Sequence, residues 1–489
     1  MKTLRETRSL CPVCLRVLPA RIFEEEGAIF MEKECPKHGY FRDLCWSDAE
    51  LYKRFEELDV AVGKLKGKDG EFAPNCPFGC GLCSFHASPT VLGVVDVTSR
   101  CNLRCPVCFA DAGVVGSGRA DRVDRAGSQR ERAEVEPERT EIEAAIDALA
   151  SSGAVAVQFS GGEPTLREDL PELISYARKR VPHVQVDTNG LKMAESEDFC
   201  REMESAGLSV VYLQFDGVTE EPYRILRGRE LLNVKKKAIE NHRHAGPNPA
   251  IVLVPTVVRG VNDNQIGKII EFAVQNSDIV RGVNFQPLSL CGRTPFLKNA
   301  EERVTVSDVV AAAVSQTKFL RKEDFFPPSV MSVFLDALGS FVGCHHACGA
   351  FTYLLCEGEK GRENGKDAHD INAEPLTKFI NLNILAEAFK AKGKITLANV
   401  LRSIRSKLIK ELFIDAFRSR SYWKLSELHR RLVFVGAMHF MDAFNFDFER
   451  ARRCCIHYGL PDGRVVPFCS FNTAHRQRAQ EGERVREKA

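Results

Sequence analysis

No stretch of this chain approaches the run of about 18 apolar residues that a membrane-spanning helix needs. The N-terminal sequence MKTLRETRSL also lacks the apolar core of a secretory signal. An excess of charge of one sign is missing too. Sixty-eight Lys and Arg face 66 Asp and Glu, a formal net charge of +2, which excludes a global electrostatic footprint for nucleic acid. Together these absences predict a cytoplasmic protein, and 489 residues are enough for about two or three domains.

Cysteine, by contrast, is abundant. Eighteen of them in a chain too large to be a small disulfide scaffold read first as metal ligands kept reduced. The densest group is Cys101-Asn-Leu-Arg-Cys105-Pro-Val-Cys108, which follows the apolar run Val91 to Val97 and so opens at a strand's carboxyl end. Three thiols are one short of the usual four-thiolate set. Such a trio suits a [4Fe–4S] cluster with one iron left open, and that iron can take a cofactor or substrate. A second apolar run, Ala154 to Phe159, leads into Ser160-Gly161-Gly162-Glu163-Pro164. The glycines there let backbone approach a ligand, and Glu163 can accept from an ammonium group.

The cysteine loop followed by this turn resembles the radical S-adenosylmethionine superfamily. The resemblance implies that Cys101, Cys105 and Cys108 hold the cluster and that Gly161, Gly162 and Glu163 hold the cofactor's amino group. It also implies that a 5'-deoxyadenosyl radical is generated to take hydrogen from an inert carbon. Between residues 91 and 295 the chain alternates strand and helix. Strand candidates are Gly93 to Val97, Ala154 to Ser160, Val184 to Thr188, Ser209 to Phe215, Ile251 to Val258 and Gly282 to Gln286. These units predict an α/β fold with a partial (β/α)6 barrel, its ligands at the strands' carboxyl ends. By resemblance, Asn189, Gln214 and Asp216 at those ends line the cofactor cavity. Asn-Gly and Asp-Gly are equally ordinary turn chemistry. The interruption from Gly113 to Glu138 is charged and poor in apolar anchors, so it is expected to be a solvated loop.

Residues 1–90 are expected to form a small Cys-rich metal domain. Cys11-Pro-Val-Cys14, Cys35-Pro-Lys-His38 and Cys45 form a knuckle-like pattern for one mononuclear iron or zinc, with Cys45 as fourth ligand and His38 as its alternate. Cys76, Cys80 and Cys83 repeat the spacing of the main loop and read as an auxiliary [4Fe–4S] cluster. Residues 296–489 are expected to be mainly helical and to hold a third cluster on Cys344, Cys348, Cys454 and Cys469, with Cys356 and Cys455 as alternates. Cys200 reads as a small buried hydrophobe, and Cys291 has no clear place. The basic stretch from Arg402 through Arg405, Lys407, Lys410, Arg418, Arg420, Lys424 and Arg430 to Arg431 reads as a solvated face or a contact with anionic lipid head groups. Residues 474 to 489 read as a frayed tail.

The flanking cysteines, with His439-Phe-Met-Asp442, Asn445-Phe-Asp447 and Ile456-His-Tyr458, resemble the tetraether lipid synthase family over nearly the whole length. That resemblance implies coupling of two archaeal lipid chains through a new carbon–carbon bond, with a diether phospholipid as substrate and a ferredoxin or flavodoxin as electron donor. Two further readings stay open: a radical methyltransferase acting on a pterin, and a zinc-stabilised scaffold with no catalysis. A long apolar channel favours the lipid, and a compact polar pocket with stacking residues favours the pterin.

Overall fold

The computed structural model describes residues 2–60, 72–114, 122–123, 129–130, 136–246, 250–295, 303–332, 343–356, 373–392, 396–407, 410–411, 414 and 432–476. Most of the charged interruption, Arg418, Arg420, Lys424, Arg430 and Arg431 of the basic stretch, and all but the first three residues of the tail lie outside them.

The chain begins as a four-stranded antiparallel meander: β1 (Lys2–Leu10), β2 (Val17–Glu25), β3 (Ala28–Cys35) and β4 (Gly39–Trp46). Alternate residues Ile29, Met31 and Lys33 of β3 are buried while those between them are more open, the period of two expected of a strand with one covered face. Helix α1 (Ala49–Glu57) follows, capped by Asp48, whose carboxylate accepts from Leu51 N at 2.9 Å. It buries Leu51, Tyr52 and Phe55 against the meander, with Tyr52 and Phe55 packed edge-on to Trp46.

The large sheet is built from parallel strands that alternate with helices. In chain order they are β5 (Leu92–Thr98), β6 (Ala156–Gly161), β7 (His183–Thr188), β8 (Val210–Gln214), β9 (Ile251–Val254) and β10 (Val280–Pro287), each hydrogen-bonded in parallel to the next. These are the six expected strands in the expected order. Their crossover helices are amphipathic. Arg139–Ser151 buries Ile142, Ala145, Ile146 and Leu149, and Leu170–Arg178 buries Leu170, Leu173, Ile174 and Ala177, both at helical spacing. At Gly93 a Cβ would lie 2.6 Å from Leu149 Cδ1, so the absence of a side chain lets that helix sit close on the sheet.

The sheet does not stop at β10: beside its helices, the C-terminal region, expected to be mainly helical, also supplies strands. The strands β11 (Gly349–Cys356), β12 (Ala373–Pro375), β13 (Leu432–Met438), β14 (Ile456–Gly459) and β15 (Val465–Pro467) all join it. Strand β13 pairs in parallel with β10, and β14 pairs in parallel with β5, so the C-terminal region adds one parallel strand to each edge of the six. Antiparallel β11 and β12 extend one side and β15 the other. Short apolar runs such as Leu432 to Met438 carry no alternation, and periodicity alone does not separate them from buried helix. Among the described residues no helix is long and apolar enough to cross a membrane.

Buried ion pairs dock the meander on the C-terminal region. Arg303, fully buried, donates to Asp43 Oδ1 at 3.1 Å and Asp442 Oδ2 at 2.9 Å. Arg5 pairs with Asp447, and Lys33 Nζ donates to Ser9 Oγ, Ala443 O and Phe444 O at 2.7–2.8 Å.

Candidate active site and metal centres

Where β5 ends, the chain turns through Arg100 and Cys101, and the loop to Cys108 lies across the carboxyl ends of the parallel strands. Cys101 and Cys105 are buried and Cys108 is half-buried. Burial pushes the Cys101 thiol up to about 12, so a thiolate there needs a cation to hold its charge. Two arginines fix the loop. Arg227 donates to Val107 O at 3.0 Å while its Nε and Nη2 grip Asp216 at 2.7 Å each, and Arg293 Nε donates to Cys105 O at 2.8 Å. Asp216 is therefore spent inside this pair, completely buried, and does not face the cavity as the resemblance implied.

The glycine turn meets the loop edge to edge. Gly162 N donates to Thr98 O at 2.7 Å and Glu163 N to Arg100 O at 2.8 Å. A Cβ on Gly162 would stand 2.0 Å from Arg100 O, and one on Gly161, at φ +128°, would stand 2.3 Å from Thr98 O. Only glycine fits either position. The Glu163 carboxylate accepts from Thr165 Oγ1 at 2.6 Å, Thr188 Oγ1 at 2.7 Å and Asn189 N at 2.8 Å, which fixes its direction. Asn189 Nδ2 reaches across to Asn102 Oδ1 in the cysteine loop at 2.7 Å. Lys235 donates to Gln214 Oε1 at 3.1 Å and so orients that amide.

These groups border one cavity of about 310 Å³ at the carboxyl ends of the parallel strands. The three cysteines, Gly161, Gly162, Glu163, Asn189 and Gln214 all line it, so the structure brings those sequence candidates together. Sequence reading missed the deeper wall of Asp187, Gln158, Tyr212, Asn284, Tyr458 and Arg476. The signal was present: polar side chains at alternate positions of otherwise apolar strands point into a barrel's interior.

At the meander's end the two turns β1–β2 and β3–β4 lie side by side and bring Cys11, Cys14, Cys35 and His38 together. Cys11 Sγ and Cys35 Sγ lie 3.4 and 3.5 Å from His38 Nδ1, and Cys14 Sγ lies 4.0 Å from Cys35 Sγ. A tetrahedral zinc with bonds of about 2.0–2.3 Å sets its ligand atoms about 3.5–3.8 Å apart, so the set fits zinc. The fourth ligand is His38, which corrects the expectation of Cys45. Strand β4 carries Cys45 seven residues from His38, about 23 Å along an extended chain. Burial pushes its thiol up to about 12.

The C-terminal thiols also converge. Cys344, Cys348, Cys454 and Cys469 lie close enough to raise one another's ionisation, after the larger effect of burial. Cys455 Sγ is 2.6 Å from Cys344 Sγ, which makes it a fifth member of the group. Arg453 organises the loop, donating to Gly343 O and Cys344 O at 3.0 Å and to Asp59 at 2.7 Å. Cys356 stands apart on β11, near Ser277 and Arg281. Cys76 and Cys80 pack in the same apolar cluster as Cys454, Cys469 and Phe468, and Phe468 is also part of the cavity wall. Cys200 is buried in its helix, and Cys291 lines the cavity.

Residues 95–273 match the radical SAM superfamily profile, and residues 3–47 match the profile described as the HMPTM N-terminal zinc ribbon domain. Across 98% of its length the chain is 41% identical to the 7,8-dihydro-6-hydroxymethylpterin dimethyltransferase of Methanocaldococcus jannaschii, covering 95% of that protein. The chain belongs to the radical SAM superfamily, in the family of that protein. Radical SAM membership means a [4Fe–4S] cluster and S-adenosylmethionine, and the ribbon's Cys11, Cys14, Cys35 and His38 form a set suited to a further metal. A shorter match, 32% identical over 33% of the chain, is to 35% of the Fe-coproporphyrin III synthase of Methanosarcina barkeri. Among solved structures, SuiB of Streptococcus suis with its precursor peptide SuiA aligns over 69% of this chain and 73% of that one, at 13% identity and a TM-score of 0.36. The near full-length relative overturns the expectation of lipid coupling. The cavity wall carries carboxyl, amide and phenol groups beside apolar side chains such as Leu103, Val107, Leu288 and Met438.

Proposed function

We propose that this radical SAM enzyme methylates a dihydropterin, 7,8-dihydro-6-hydroxymethylpterin or a close analogue. The observation that carries the reading is the cavity: a compact space bordered by the cysteine trio at its mouth, polar groups in its depth, and aromatic rings at one side. Tyr458 stacks on Phe468 with centroids 5.2 Å apart at 21°, and Phe468 stacks on Phe109 at 5.7 Å and 15°. A flat heterocycle with polar edges matches such a wall. The near full-length relative supports the same substrate class.

Cys101, Cys105 and Cys108 would hold the cluster, and Glu163 with its fixed carboxylate would receive the cofactor's amino group. Bound there, the cluster and S-adenosylmethionine supply a 5'-deoxyadenosyl radical able to take hydrogen from carbon. The chain positions the acceptor and excludes water around it. The saturated carbons of a 6-hydroxymethyl-7,8-dihydropterin, C7 and the hydroxymethyl carbon, are the positions whose C–H bonds call for such a reagent. In the same reading Cys76, Cys80 and Cys83 hold one auxiliary cluster, and Cys344, Cys348, Cys454 and Cys469 a second. A ferredoxin or flavodoxin delivers the electron.

The test uses reconstituted, reduced protein under anaerobic conditions with S-adenosylmethionine and the dihydropterin deuterated at C7 or at the hydroxymethyl carbon. Deuterium appearing in 5'-deoxyadenosine, absent with Cys105→Ala, supports the reading. Cofactor cleavage that the pterin neither accelerates nor labels refutes it.

A further inference from the structure

Below the cofactor's rim the barrel carries a polar group of side chains that neither the cysteine loop nor the glycine turn employs. Neighbouring strands β5, β6 and β7 contribute Asp96, Gln158 and Asp187. Asp187 Oδ2 accepts from Gln158 Nε2 at 2.7 Å. Gln158 Oε1 and Asp96 Oδ1 are buried acceptors with no hydrogen-bond partner among the described residues. The nearby cation is already engaged: Arg476 bonds Asp96 at 2.8 Å, the Tyr458 hydroxyl at 2.9 Å and Asn472 Oδ1 at 2.8 Å. The wall is thus rich in acceptors.

Asp187 is the member of this group that lines the cavity with an ionisable head, one layer deeper than Asn189, whose N–H holds Glu163. Burial, with the nearby Asp96 and Glu163 carboxylates, pushes its carboxyl up to about 7 although Gln158 and the Ser160 hydroxyl both bond it. The partner that would relieve it carries two adjacent N–H donors on one side of a flat ring. A 2-amino-4-oxopyrimidine edge has that form, its amino group and N3–H spaced for the two oxygens of one carboxylate. The stacked rings of Tyr458 and Phe468 border the same cavity and suit the ring's face.

We propose that Asp187, oriented by Gln158, receives the 2-amino and N3–H edge of the pterin ring and selects it over the corresponding 2-oxo ring. The assignment rests on the dihydropterin reading and names the residue that enforces it. The test is calorimetric titration of the full, metal-loaded chain with S-adenosylmethionine present, using 6-hydroxymethyl-7,8-dihydropterin and its 2-oxo analogue, the dihydrolumazine. The wild-type chain is expected to prefer the pterin by roughly ten- to hundredfold, the worth of a charge-assisted hydrogen bond. Asp187→Asn should bring that ratio close to one. A ratio of two affinities in one sample is insensitive to any fraction that fails to fold. The proposal is overturned if Asp187→Asn keeps the preference, if the wild-type chain binds both rings alike, or if the substitution weakens only S-adenosylmethionine. Failure of the wild-type chain to bind either ring instead overturns the dihydropterin reading, and this assignment with it.

Discussion

Arg303 offers the sharpest test of how the zinc ribbon is tied to the rest of the chain. It is completely buried between two carboxylates that come from opposite ends of the sequence, Asp43 at 3.1 Å and Asp442 at 2.9 Å. Arg303→Met keeps much of the volume and removes the charge. Asp442 retains backbone donors, from Leu290 N at 2.8 Å and Phe444 N at 2.9 Å, whereas Asp43 Oδ2 lacks a partner even with the arginine present. Breaking a buried pair by removing one side costs about 3–5 kcal/mol. The sign with pH is fixed. Burial already holds the Asp43 carboxyl up to about 7, so the folded chain keeps a proton there that the unfolded chain releases near pH 4. Stability from this group is complete below that lower value and is lost as pH rises through about 7. Asp442 is different: burial raises it, but Arg303 and its donors hold it below the ordinary carboxylate range. Without the arginine, both carboxyls shift upward. The penalty of Arg303→Met therefore grows with pH, about 1.4 kcal/mol per unit for each group protonated in the folded variant but ionised in the folded wild type, which is Asp442 through the acid range and Asp43 above about 7. Trp46 is buried on β4 and reports the ribbon directly once Trp423 is replaced by Phe. Urea unfolding followed by Trp46 fluorescence should show the loss at pH 8 and a clearly smaller one at pH 5.5, with part of it restored by Asp43→Asn. A loss below about 1 kcal/mol at pH 8, or one that does not change with pH, refutes the reasoning.

Gly162→Ala places a Cβ where Arg100 O stands, 2.0 Å away, so the cysteine loop must shift. It should lower 5'-deoxyadenosine formation by about a hundredfold, read as product per iron bound at the main site. Metal analysis should find one zinc in the wild-type ribbon, lost in His38→Ala and unchanged in Cys45→Ala. Arg227→Met frees Val107 O and strands the Asp216 carboxylate, so cluster incorporation should fall while zinc content stays constant, measured as iron and zinc per chain.

The six-strand alternation was legible because each strand is followed by a helix whose apolar residues repeat at helical spacing. The cysteine loop and the glycine turn were legible because their chemistry is local: eight consecutive residues and five. The zinc set was half legible. Spacing allowed both Cys45 and His38, and only the meander decides between them, since its two turns fall at one end and Cys45 lies near the far end of β4. Asp216 misled for a similar reason. A strand-end carboxylate beside a glycine reads as cavity-facing until Arg227, eleven residues on, is seen to claim it. Asp187 and Gln158 escaped because strand polarity signals an interior only after the barrel is known to curve.

The C-terminal region shows why the cavity's lining was the least legible part of the sequence. Met438 at the end of β13 and Tyr458 on β14 reach the cavity from opposite edges of the parallel sheet, and Arg476 reaches it from the segment after β15. Those residues lie about 250 to 290 positions from Asp187 in the chain, and no local pattern links them. The same region supplies Cys454 and Cys469, so the strands that narrow the barrel also position the thiols beside it. With β13 and β14 in place and Arg476 locked to Asp96 and Tyr458, the edge becomes a polar and aromatic wall. In the dihydropterin reading, recognition is therefore shared between Asp187 and Gln158 on the central strands and the residues after 432 that border the same cavity.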